Sequence, residues 1–429
     1  MIDHALVAPR GELVVPGNRW DLAERPAAQS PEVSVVVPYY QGAEQLALLL
    51  EGLRGQDFPS GRFEVLVADD GSPDPLDLGR FDTSGLRVRA FHQEDKGFRA
   101  AAARNLAAAS AEGQVLCFLD QDTIPEPSYL SAISRLPGQL PDALVVGRRE
   151  HADLAGWNAE GVRDWFSGKG PAPEILTAPE WLSREYRDTR DLLDAGENGY
   201  KYIISAVMAC STALFRELGG FDESFQQYGG EDWEFAHRAW NAGAVLAHEP
   251  RAVAWHDGPD WAGRSTPESR QAMKQDEKEA LLRRIPESEV CARPDHPANL
   301  LLTWTGLTDV HNQAVQDVLD HLRAAPLNIA VQQNAQFGPQ EQSRARFQAT
   351  LHGMPEDPEQ LTASIEDALT WLRHSGAGEV RLDEPRLTIT ATRARRRAER
   401  WQNSFPGRDL LDDLFGRVEL ASRLRTRTA

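Results

Sequence analysis

Cysteine is scarce. Cys117, Cys210 and Cys291 are too few for a disulfide framework and lack metal-ligand spacing, which points to a reducing, cytoplasmic compartment. Positive charge is also short: 46 Lys and Arg stand against 65 Asp and Glu, a formal net charge of −19. A chain this acidic lacks the basic surface that nonspecific nucleic-acid binding needs, so no nucleic-acid partner is expected. Long apolar runs are missing as well. The nearest, 203–215, is too short to span a bilayer and carries hydroxyls, and the first residues show no basic head ahead of an apolar stretch. The expectation is a chain that is soluble or, at most, peripheral to a membrane.

What is present is ordinary globular material. Hydrophobic residues make up 41% and charged residues 26%, which excludes disorder, and 429 residues imply two to three domains. After a Pro-rich extension at 1–30, the run VSVVV at 33–37 reads as a strand buried on both faces, and FEVLVA (63–68), LRVRAF (86–91) and QVLCFL (114–119) read likewise. Between them lie an amphipathic helix over 43–56, with Leu46, Leu49, Leu50 and Leu53 on one face, and an Ala-rich helix over 98–113. This alternation predicts an α/β fold with a mostly parallel sheet. Ligands bind at the carboxyl ends of such strands. Here those ends carry PYYQ, DDGS and DQD.

Beyond that sheet the pattern changes. Residues 148–200 read as an insertion or lid within a domain spanning 31–262. A polar helical linker is expected over 263–297. Residues 298–429 read as a small C-terminal α/β accessory domain, and its last forty residues hold ten Arg and five acids.

Several residues have the chemistry of a site. Asp120-Gln121-Asp122, the only Asp-x-Asp in the chain, directly follows a strand. Two carboxylates so placed can hold a hard divalent ion, which neutralises a diphosphate leaving group. Asp69-Asp70-Gly71-Ser72 offers a carboxylate to an imide N–H of a base, with Gly71 allowing a tight turn. Arg99 and Arg104 lie around the start of the Ala-rich helix, where an anion would offset their unfavourable placement. Gly229-Gly230-Glu231-Asp232-Trp233 opens a helix whose dipole favours an ionised Asp232, a candidate general base, and Trp233 offers a flat face to a sugar ring. His256, after RAVAW, is a candidate metal ligand. Each alone is also compatible with an ordinary turn, helix cap or surface side chain.

Taken in order, VVVPYYQ (35–41), VADDGS (67–72), GFRAAAARN (97–105), CFLDQDTIP (117–125), GGFDESFQQYGGEDWEFAHRAWNAG (219–243) and WHDG (255–258) resemble the family 2 glycosyltransferases of the GT-A fold, which is Rossmann-like. The later segments look like the galactosyltransferase-type region of chondroitin-polymerase-like enzymes. The resemblance implies a metal-dependent, inverting hexosyltransferase using a nucleotide-sugar, a UDP-sugar above all, with a glycan or small natural-product acceptor. It implies that Pro38 and Tyr39 wall the base and that Asp69 reads it. Arg99 and Arg104 would contact the nucleotide or its diphosphate, and Asp120 would lie near the ribose and donor sugar. Asp122 and His256 would hold Mn²⁺ or Mg²⁺, and Asp232 would be the base, with Glu231 beside it. The Gln-x-x-Arg-Trp signature of processive synthases is absent, which favours single addition. Two alternatives stand beside this reading: a noncatalytic nucleotide-sugar-binding module, and a peripheral membrane transferase acting on lipid-linked sugars, its membrane contact made by RARRRAER at 393–400. A homo-oligomer is compatible with all three.

Overall fold

The computed structural model describes every residue except 24–30, 227–228, 260–266, 287–295, 308–309, 311 and 421–429. Parts of the expected linker, Cys291 and the end of the basic tail therefore lie outside the described residues.

A short hairpin, β1 (Leu6–Val7) and β2 (Leu13–Val14), precedes the main sheet. The valine run becomes β3 (Val33–Tyr39), since β-branched side chains pack well on a pleated surface. Helix α1 (Ala43–Arg54) buries the four expected leucines and leads to β4 (Phe63–Asp69) and then β5 (Val88–His92). Helix α2 (Ala100–Ala109) buries Ala101, Ala103 and Ala107, small side chains that let a helix lie close to a sheet, and is followed by β6 (Val115–Leu119). Strands β5, β4, β3 and β6 are neighbours in that order and all parallel, as the alternation predicts.

The far half of the sheet is mixed. It is built from β7 (Thr123–Pro125), α3 (Tyr129–Ile133), β8 (Ala143–Asp153), α4 (Ala159–Phe166), β9 (Glu174–Leu176), α5 (Glu180–Asp188), β10 (Val207–Ser211), α6 (Thr212–Leu218), α7 (Glu231–Asn241) and β11 (Val245–Asp257). Strand β10 runs antiparallel to β6 and to β8, so β8 points the same way as β6, and β11 is parallel to β8. The carboxyl ends of β3, β4, β6, β8 and β11 therefore share one edge. The stretch 148–200 does not begin as an insertion: through Asp153 it continues β8, paired with β11, and only then come α4, β9 and α5. The charged run RREH at 148–151 masks the strand because Arg148, Arg149 and Glu150 are exposed or half-buried where the first half of β8 is fully buried and apolar.

After α8 (Pro267–Leu282), a second sheet of six strands follows: β12 (Leu300–Thr305), β13 (Ile329–Gln333), β14 (Phe347–His352), β15 (Glu379–Leu382), β16 (Leu387–Ala391) and β17 (Arg417–Leu420). Its order is β13-β12-β14-β16-β15-β17, with α9 (Gln313–Ala324), α10 (Pro339–Arg344) and α11 (Pro358–Ser375) as connections. Trp304, Leu302, Leu361 and Ile365 centre its separate core.

Helices α12 (Thr392–Trp401) and α13 (Leu410–Phe415) join the two sheets. Leu6, Ala8 and Val14 of the N-terminal hairpin region pack with Ala394, Trp401, Leu410 and Leu414. Arg397 is fully buried and donates to the carbonyls of Val15, Gly17, Gly243 and Ala244. Arg393 stacks 3.4 Å from the Trp240 ring, and Arg400 donates to Asp142, Glu217 and Ala242. Arg395 meets Gln342, and Arg396 lies 3.8 Å from Glu217. The arginines of RARRRAER thus all have partners within the protein. Among the described residues no helix is long and apolar enough to cross a membrane.

Candidate functional site

At the shared strand edge lies a cavity of about 1490 Å³. Pockets for one drug-sized ligand run to about 1,000 Å³, so the space suits two ligands at once. One side is formed by the strand ends. Pro38, Tyr39 and Tyr40 line it, yet the Tyr39 ring packs in the core and only Tyr40 is exposed, at 45%. The stacking role expected of Tyr39 is therefore available to Tyr40, because neighbours on a strand face opposite ways. The Tyr40 N–H donates to Gln121 Oε1 at 2.7 Å, tying this strand end to the Asp-x-Asp turn.

The turn after β4 separates its two carboxylates. Asp69 does not line the cavity. Its carboxylate accepts from the backbone N–H of Ser72 at 2.8 Å and of Leu76 at 2.9 Å. Burial would raise its pKa, but these hydrogen bonds and nearby His92 hold it below the ordinary value. Asp70 lines the cavity instead. It accepts from Gln93 Nε2 at 2.5 Å and from the Arg99 N–H at 2.7 Å. Arg99 itself stands behind Asp70 and outside the cavity lining. Gly71 has φ +83°, and a Cβ there would lie 2.3 Å from the Asp95 backbone nitrogen, so this turn requires glycine.

The deepest charge is Arg104 on α2, buried to 3% exposure. It donates to Asp120 at 2.7 Å and to Glu231 at 2.9 Å. Burial opposes its charge, but the two carboxylates more than compensate and raise its pKa. Gly229 (φ +97°) and Gly230 (φ +91°) turn the chain into α7 and set Glu231, Asp232 and Trp233 on the cavity wall. Asp232 Oδ1 accepts from the Trp233 N–H at 2.8 Å. The helix dipole does not keep Asp232 at an ordinary pKa. Burial, then the charge of Glu231, push it up to about 7 against the pull of the Trp233 N–H and Arg104.

Asp122 lies on the cavity, and His256 lies behind it with Nδ1 3.2 Å from Asp122 Oδ1. Two cis ligands at about 2.1 Å from one octahedral ion stand about 3 Å apart, so this oxygen–nitrogen pair fits a shared divalent ion. His151, paired with His256 across β8 and β11, donates from Nδ1 to the Gly258 carbonyl, 3.1 Å away. Among the described residues no cluster of three or more His, Cys, Asp or Glu forms a metal set, so further ligands would have to come from substrate or water.

Several lining residues carried no sequence signal. Arg149 reaches the cavity from β8, on the strand face that also carries His151. Trp181 on α5 is 43% exposed at the rim. Lys274, Glu277 and Lys278 of α8 line the cavity beside the glycines that open α7. The exposed tryptophan within the polar segment EWLSREYRD was the one available hint.

The chain is similar to several known proteins. Residues 34–209 match the model described as glycosyl transferase family 2, and residues 195–251 match the N-terminal domain of galactosyltransferase. The chain is 27% identical to a chondroitin synthase of Escherichia coli, over 63% of this chain and 41% of the relative. It is 32% identical to a validoxylamine A glucosyltransferase of Streptomyces hygroscopicus subsp. jinggangensis, over 48% of this chain and 51% of the relative. The chain thus spans about half or less of the length of these relatives. A solved structure of S. aureus TarS superposes with a TM-score of 0.41 and 20% identity, over 53% of this chain and 37% of that one.

Proposed function

We propose, from the premise that residues 34–209 are a family 2 glycosyltransferase domain continued by a galactosyltransferase-type segment, that this GT-A protein is a metal-dependent, inverting hexosyltransferase. Its donor is a nucleotide-sugar, a UDP-sugar in our reading, and its acceptor is a hydroxyl of a glycan or a small polyol. One observation carries the proposal: a single cavity is lined by both the raised-pKa carboxylate of Asp232 and Asp122, which His256 backs at 3.2 Å. Relatives named for chondroitin and for validoxylamine A support an acceptor of carbohydrate or related type.

In this reading Pro38 and Tyr40 wall the base, and Asp70 accepts its imide N–H while Asp69 holds the turn. Arg104 fixes Asp120 and Glu231, leaving the second Asp120 oxygen for donor hydroxyls. Asp232 takes the proton of the acceptor hydroxyl as its oxygen bonds to the anomeric carbon. The bond from that carbon to the diphosphate oxygen breaks on the opposite face, and the nucleoside diphosphate leaves with the electron pair. Asp122 and His256 would hold Mn²⁺ or Mg²⁺, which when bound supplies charge neutralisation to the leaving diphosphate. The lining supports this need, since seven carboxylates stand against four Lys and Arg in the cavity.

Thermal stabilisation and donor hydrolysis with UDP-, dTDP- and GDP-sugars, each with Mn²⁺, Mg²⁺ or EDTA, test the proposal. The expected outcome is metal-dependent stabilisation by one donor class, lost in Asp122→Ala. In Asp232→Asn donor binding persists while turnover falls by about 10²–10⁴-fold. Absence of any nucleotide-sugar effect under every metal condition sinks the reading.

A further inference from the structure

The matched family segments end at residue 251, but the cavity does not. Helix α8 packs on the turn that opens α7. A Cβ on Gly229 would lie 3.0 Å from Glu277 Oε1, and one on Gly230 would lie 3.5 Å from Glu277 Cγ. The two glycines therefore make room for a carboxylate delivered from outside the matched region. Glu277 is half-buried and lines the cavity with Glu231 and Asp232.

A second observation points to a ligand. Glu231 is 7% exposed, and one of its oxygens is taken by Arg104. The other, Oε2, is buried without a hydrogen-bond partner. Leaving a buried acceptor unpaired is unfavourable, so a proton donor arriving there is favoured.

We infer that Glu277 is a specificity-determining, positioning residue: with Glu231 and Asp232 it forms a three-carboxylate end of the cavity that selects acceptors carrying a protonated amine near the reacting hydroxyl and rejects anionic acceptors. The inference rests on the transferase reading above. The charged and titratable groups around this end are Arg104 from α2, Asp120 after β6, Arg149 from β8, Tyr186 from α5, and Lys274 and Lys278 on α8 itself. Arg104 is already shared between Asp120 and Glu231. Burial and the charge of Glu231 raise the pKa of Glu277, with Lys274 opposing, as crowding of like charges requires.

The test uses the full chain with a hydrolysable nucleotide-sugar and three probes of similar shape and different charge: glucosamine, glucose and glucuronate. Each is scored as acceptor, or as inhibitor of donor hydrolysis. In the wild type, glucosamine should act at a concentration about tenfold below that of glucuronate, a difference of about 1.4 kcal/mol. Glu277→Gln should erase that ranking and move the pH midpoint of donor hydrolysis downward, because a negative charge near Asp232 is gone. Glu277→Asp, which keeps the charge, should restore both in part, and melting curves establish that each variant is folded. A wild type without the ranking, or a folded Glu277→Gln with ranking and midpoint unchanged, overturns the inference. A wild type that neither binds nor hydrolyses any nucleotide-sugar overturns the transferase reading itself.

Discussion

Asp232 joins sequence to chemistry at the residue scale. In its proposed role of general base, Asp232 works when deprotonated, and burial and Glu231 hold its pKa up to about 7. The sign follows directly: kcat/KM should be low at acid pH and rise through about pH 7 to a plateau. Removing the neighbouring charge in Glu231→Gln should shift that rise to lower pH, as the pH–rate profile of the variant would reveal. A profile flat between pH 5 and 8 would contradict the assignment of Asp232 as base. The same scale explains which site residues the sequence hid. It places carboxylates and aromatics in pairs, Tyr39-Tyr40 and Asp69-Asp70, but the side of the strand each member takes depends on the pleat at the strand's last residue. That phase is fixed by tertiary packing, so the pair was legible and the member was not.

Secondary elements tell a similar story. The parallel strands β3, β4 and β6 and helices α1 and α2 were readable because continuous β-branched runs and a clean leucine face have few alternatives. Strand β8 was not, because its outer half carries Arg149 to the cavity and a buried His151, and so breaks the apolar pattern. Helix α8 was legible as a polar helix, whereas its placement against Gly229 and Gly230 was not, since only long-range packing sets it. The start of α7 offers a sharp check. Gly230 holds φ +91°, and an added Cβ would come within 2.9 Å of the Phe225 ring. Left-handed backbone costs a non-glycine residue about 1–2 kcal/mol, and the contact adds to it. Gly230→Ala should therefore lower the melting temperature and, by shifting the first turn of α7, reduce turnover more than donor binding. Calorimetry and donor titration measure the two effects separately.

For the whole molecule, the two sheets have separate cores, and α12 is the seam. Arg397 is its centre, a buried cation shared by four carbonyls from 15–17 and 243–244. Arg397→Met leaves those carbonyls without their donor, at a cost of about 3 kcal/mol or more. The expected calorimetric result is a lower first transition, with the two sheets melting apart where the wild type melts more cooperatively. An unchanged single transition would mean that the seam is held mainly by the apolar cluster around Trp401. That cluster also has a consequence in time. The Ile2 N–H donates to Asp413, and the Gly17 N–H to Leu414. On a ribosome Ile2 and Gly17 must wait for Asp413 and Leu414 to be made before they find these partners. The hairpin of β1 and β2 is thus a clasp that cannot shut until α13 has been made, and a nascent chain stalled before Leu410 should leave it open to proteases.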